Sequence, residues 1–153
     1  MNEISHSELE IVSTRVFKFP QELVFRAWTE PEHLAAWWGP KGFTNTFHEY
    51  DLRPEGHWRF TMHGPEKGNY ENHAVFERIE RPTFLSWYRL SQPLFRVEVS
   101  FEAVSADQTS VLFKMIFDDL DLGNTIRKFA PEKNEENFDK LEVVLAEMKA
   151  AQD

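Results

Sequence analysis

The chain has 153 residues, a net charge of −9 and no cysteine. That length suits one domain with one core, and the missing thiols exclude a disulfide framework and thiolate chemistry. The negative charge and the scattering of Lys and Arg as single residues argue against nucleic acid and anionic membrane surfaces as partners.

Residues 9–19, "LEIVSTRVFKF", read as a strand. Ile11, Ser13, Arg15 and Phe17 alternate with Val12, Thr14, Val16 and Lys18, and the pattern leaves the facing open. Pro20 suits the first turn of a helix, and Val24, Ala27 and Trp28 follow at helical spacing. A second short helix is expected from Thr29, where Thr29 and Glu32 spell a capping box around Pro31. Leu34, Trp37 and Trp38 then share one broad face, and Gly39-Pro40 ends the helix.

From Phe43 the period changes to two. "FTNTFHEYDL", "HWRFTMH", "NYENHAVFERI", "TFLSWYRL", "FRVEVSFEAV" and "TSVLFKMIF" read as six strands separated by turn residues. Phe95, Val97, Val99 and Phe101 face one way and Arg96, Glu98, Ser100 and Glu102 the other, the mark of a sheet with one wet face. "LDLGNTIRKFAPEKNEE" reads as a loop. A long helix from about Lys133 to Ala150 carries the stripe Phe138, Leu141, Leu145 and Met148.

The fold class is therefore α+β: seven antiparallel strands, two short helices after the first, and one long C-terminal helix, in the order β-αα-ββββββ-α within a single domain, 1–153. One helix covers only part of a twisted sheet. The expectation is a cavity between sheet and helix, with Trp38 walling its mouth and Trp37 packed in the core. The chain carries 14 Phe and 5 Trp, residues that serve a core and an apolar pocket alike.

The segments "VFRAWTEPEHLAAWWGPKGF", "DLRPEGHWRFTMHGPEKGNYENHAVFERIERP" and "NEENFDKLEVVLAEM" resemble the START-like, helix-grip superfamily of polyketide-cyclase-like and lipid-transfer proteins. Within it the chain is similar to the branch named after the activator of the heat-shock protein 90 ATPase. The resemblance covers nearly the whole chain and implies a curved sheet gripping the C-terminal helix around a cavity. That activator has a separate N-terminal domain associated with stimulating the chaperone, which this chain has no room for, so chaperone activation is not the leading expectation. Relatives often read E-I before a P-P turn; here "ERIERP" shifts the acid to Glu77 and puts Arg78 in its place.

The leading functional expectation is binding of a small apolar molecule, aromatic or lipid-like. The candidate ligand-binding residues are Trp37, Trp38, Phe43, Arg59, Phe60, Tyr70, His73, Trp87, Phe101, Phe113, Met115, Phe117, Phe138 and Leu141. Arg59, Tyr70 and His73 would supply its polar contacts. The alternatives are a cofactor-free cyclase, dehydratase or hydrolase drawing on Arg59, His63, Tyr70, His73, Glu77 or Tyr88, and an interaction module, either a chaperone partner or a homodimer. No catalytic residue is assigned. No metal and no cofactor are expected: His63 and His73 could approach across a hairpin, with Glu71 or Glu77 beside them, but no ligand signature is present. "MNEISHSELE" lacks a basic segment followed by an apolar run, so no signal peptide is expected and a cytoplasmic location is.

Overall fold

The computed structural model describes residues 6–152. After a 3₁₀ turn at His6–Leu9 come β1 (Glu10–Phe17), α1 (Gln21–Thr29), α2 (Pro31–Trp37), β2 (Thr44–Tyr50), β3 (His57–His63) and β4 (Asn69–Glu80). Then follow β5 (Phe84–Arg89), β6 (Arg96–Ser105), β7 (Gln108–Ile116), α3 (Leu120–Arg127) and α4 (Ala130–Gln152). The strands form one antiparallel sheet in the order β1-β7-β6-β5-β4-β3-β2. This is the α+β helix-grip arrangement and element order read from the residues, with one helix added.

Period two sorts each strand between two faces. Ile11, Ser13 and Phe17 of β1 are buried, which settles the facing that sequence left open. They meet α4 through an edge-on contact between Phe17 and Phe138, 5.6 Å between ring centroids. Leu141, Leu145 and Met148 continue that buried helical stripe. Arg15 runs along the same side and reaches Asp139 and Glu142 at 2.9 Å and Glu135 at 3.3 Å, fastening the edge strand to α4.

Two local readings are corrected. The Thr29–Glu32 capping box does not form. Thr29 closes α1 by donating its hydroxyl to the Phe25 carbonyl at 2.8 Å, and Glu30 stands at the N-terminus of α2 without a side-chain cap. The stretch read as a loop contains α3. Its N-terminus is capped by Asp119, whose carboxylate accepts from Asp121 N at 2.9 Å and Leu122 N at 3.4 Å. Gly123, a poor helix former, packs on Phe117, where a Cβ would make an ordinary contact at 3.5 Å, so the packing does not demand glycine.

Candidate functional site

Trp37 ends α2, whereas Trp38 lies beyond it as the C-cap, with extended backbone (φ −64°, ψ 134°). The two indoles therefore part company. Trp37 is fully buried against α1: it donates Nε1–H to the Ala27 carbonyl at 2.9 Å and crosses Trp28 edge-on at 4.6 Å. Trp38 turns toward the sheet, among Trp58 at 5.6 Å, Trp87 at 5.7 Å and Phe113 at 6.2 Å. Gly39 follows with φ +98°, the left-handed conformation that reverses the chain and that glycine adopts without strain.

These rings occupy the space in which a cavity was expected. Between sheet and α4 there remains a void with about 10 Å³ of room for the centre of a water molecule, lined by Trp28, Trp37, Trp38, Phe113, Asn134, Asn137 and Phe138. That is the space of one water rather than of a ligand. Two of its lining residues carry buried polar atoms with no partner among the described residues, Trp28 Nε1 and Asn137 Oδ1. Asn134 is satisfied, donating to Ser13 Oγ at 3.1 Å and contacting Met115 Sδ at 3.7 Å. Among the candidates from the sequence, Trp37, Trp38, Phe113 and Phe138 meet at this void. Phe60, Trp87, Phe101, Met115, Phe117 and Leu141 are buried in the core around it without lining it. Phe117 packs instead against Phe95, 5.2 Å away.

Arg59 and His73 face away from the core, because in the β3–β4 register they pair with each other on the opposite face from Trp58 and Ala74. Arg59 is held by Glu49 at 2.9 Å, and His73 Nε2 meets His57 Nδ1 at 2.7 Å. Burial, then the neighbouring Arg59 and His57, lowers the pKa of His73. His63 is engaged by Thr46 at 2.8 Å and Asn69 at 2.7 Å, so the histidines that approach each other are His57 and His73, not His63 and His73. Glu77 pairs with Arg96 at 3.1 Å on the outer face, and Tyr88 opposes outward-facing Val75. The groups that acid–base catalysis would need therefore lie outside the core. Among the described residues, Glu30, Glu32 and His33 place ligand atoms within 4.8 Å of one another, but Glu30 is already engaged by Arg26 at 3.0 Å.

Phe43 and Tyr70 come together elsewhere. At the end of the inner face, beyond the cover of α4, they lie 6.0 Å apart beside Met62, along a groove of about 530 Å³. Pro40, Pro93, Asn72 and Arg89 complete its main walls. Lys140 of α4 holds the adjoining loop by donating to the carbonyls of Gly39 at 3.0 Å, Pro40 at 3.4 Å and Phe43 at 3.0 Å. Withdrawal from solvent lowers its pKa.

Arg89 was not singled out from the sequence. It continues the inward alternation Leu85, Trp87, Arg89, so a cation standing where the period calls for an apolar residue was the available signal. Its Nε donates to Pro93 O at 2.8 Å, and its Nη2 to Asn72 Oδ1 at 2.9 Å and Ser91 Oγ at 3.2 Å. The guanidinium lies over Phe95 at 5.2 Å. Among the described residues no carboxylate pairs with it. Burial pulls its pKa down to about 10, which leaves it charged at neutral pH.

A seven-stranded antiparallel sheet curved over a long C-terminal helix, with two short helices after the first strand, defines a helix-grip protein. Residues 18–146 match the family described as activator of Hsp90 ATPase homolog 1-like protein, and the chain belongs to that family. Protein NE0264 from Nitrosomonas europaea is similar in structure, with a TM-score of 0.86 at 24% identity over 94% of this chain and 98% of that one. An Arthrobacter aurescens protein gives 0.85 at 19% identity over 95% and 90%, and a Rhodobacter sphaeroides protein 0.83 at 22% over 93% and 95%. At these identities the likeness establishes the fold alone. No curated protein matches the sequence. No helix among the described residues is long and apolar enough to cross a membrane.

Proposed function

We propose that the domain binds a small, mostly apolar molecule in the groove at the open end of the inner face, rather than in a preformed cavity beneath Trp38. The observation that carries this reading is the convergence of Phe43, Met62 and Tyr70 on a space of about 530 Å³. That size is within the range of small-molecule sites, which pair apolar walls with a few placed polar groups. Size alone does not select it, since grooves of about 420 and 340 Å³ flank α4 elsewhere. Composition does. The first of these is walled by Val16, Phe19 and Ala146 with Lys18 and Glu142, so it has one aromatic ring, and the second by Val144 and Met148 with Glu32, His33 and Glu147, and has none but the imidazole. Tyr70, 55% exposed, is an aromatic ring held at the rim with a free face.

Titration with the neutral fluorophore N-phenyl-1-naphthylamine tests the reading. Saturable binding is expected, weakened about tenfold in Phe43→Ala and Tyr70→Ala, as loss of one aromatic wall implies, and unchanged in Val16→Ser on the far groove. No saturable binding, or binding indifferent to both aromatic truncations, overturns it.

A further inference from the structure

We infer that this groove selects a ligand bearing a carboxylate, which Arg89 anchors while the apolar body lies against Phe43, Met62 and Tyr70. The inference rests on the groove being the binding site, and it adds the chemical class of what is bound.

Four features of the protein lead there. Arg89 is set among inward-facing groups, and no carboxylate neutralises it among the described residues, although the chain carries 26 acidic residues and a net charge of −9. A cation drawn out of water without a counter-charge is costly unless something completes its coordination. Its Nε and Nη2 are occupied by Pro93, Asn72, Ser91 and Gln92, which fix the plane of the guanidinium; Nη1, with two N–H donors, has no partner among the described residues. Asn72 is the positioning residue. It is buried, its Nδ2 donates to the Tyr70 carbonyl at 2.9 Å, and this turns Oδ1 toward Arg89. Held at a fixed orientation, Nη1 can donate a charge-assisted hydrogen bond to a carboxylate oxygen.

The surroundings favour a monoanion over a phosphate. Among the described residues, only one nitrogen of this one cation is left without a partner. The other partly buried cation nearby, Lys140, is spent on three loop carbonyls. A dianion would keep most of its charge uncompensated, with one donor nitrogen to offset it.

The test compares 1-naphthylacetate with 1-naphthylacetamide, which share an apolar body and differ in charge, with inorganic phosphate as a third arm. For the unsubstituted protein at neutral pH, the acid is expected to bind at least about tenfold more tightly than the amide, since a charge-assisted hydrogen bond in a half-buried site is the stronger contact. Phosphate is expected neither to bind nor to compete. Arg89→Gln should bring the acid-to-amide ratio to about one while the amide keeps its affinity. The side-chain Nε–H resonance of Arg89, followed in the unsubstituted protein, gives a readout that survives if that variant fails to fold. It should move on saturation with the acid and much less with the amide. Equal binding of acid and amide would remove the carboxylate anchor and leave the apolar site standing. Binding of neither would remove both readings. A preference for acid that persists in Arg89→Gln, an Arg89 resonance unmoved at saturation, or competition by phosphate would each overturn the assignment to Arg89 and a carboxylate.

Discussion

Truncating Trp38 to alanine should open, by mutation, the cavity that this protein fills with its own side chain. The indole stands between Trp58, Trp87 and Phe113 on the sheet side and Trp28 and Trp37 on the helical side. Its removal takes away roughly 140 Å³ of side chain, and at about 24 cal/mol per Å³ the hole alone costs about 3 kcal/mol if the neighbours hold still. Trp38 is only partly buried, which places the total at the low end of the usual ~3–5 kcal/mol for a tryptophan. In a domain of this size the midpoint of thermal unfolding should fall by about 6–12 °C. The new space joins the existing void of about 10 Å³ beside Phe138. An aromatic-walled hole of that combined size should stay dry and take up a small aromatic guest. Added indole at about ten times its dissociation constant should restore about 1.4 kcal/mol, and the parent protein should not respond. Trp37→Ala should cost more, toward about 5 kcal/mol, because it also orphans the Ala27 carbonyl. Differential scanning calorimetry with and without indole reads all of this. A Trp38→Ala protein that melts within a degree or two of the parent, or that ignores indole, would show that the ring does not hold the sheet and α4 apart.

The depressed pKa of His73 makes stability fall in mild acid. The unfolded chain takes up this proton below about pH 6.5, while the folded protein resists until the lower folded pKa is passed, so stability should be lost from about pH 6.5 downward. Urea melts between about pH 7.5 and 5.5 check this, and His73→Gln should flatten the dependence. Gly39→Ala places a Cβ 2.8 Å from the flexible end of Met62 and, more seriously, forces alanine to φ +98°; a loss of about 1–3 kcal/mol is expected in denaturant titration. Arg15→Gln should cost about 1 kcal/mol, because the guanidinium is largely covered while its partners on α4 are about half exposed or more, and the difference from the parent should shrink in high salt.

Much of the architecture was legible because it rests on periods. Alternation through Phe95–Phe101 fixed which side of β6 is wet, and the 3.6-residue stripe from Phe138 to Met148 marked the helix that covers the other side. The Gly39-Pro40 stop placed the end of α2, and the quoted segments pointed to the family that residues 18–146 match. Local signals failed where the chain chose between near-equal options. Thr29 could cap the next helix or bond back to its own, and it bonds to Phe25. The stretch from Leu120 has a central glycine and a narrow apolar face, so α3 forms only with Asp119 capping it and Ile126 buried.

The site belongs to a different order of information. Sequence placed Trp37 and Trp38 on one helical face, but their separation depends on the helix ending between them, which sends the second ring among residues from β3, β5 and β7. Whether a shell of aromatic residues encloses a cavity or fills it is decided by how side chains distant in sequence interlock, and composition is the same in both cases. Alternation alone aimed Arg89 inward. Its isolation from every acid among the described residues was decided in three dimensions, by the carbonyls of Pro93 and Gln92, the hydroxyl of Ser91 and the amide of Asn72 arriving around it where a carboxylate could have stood.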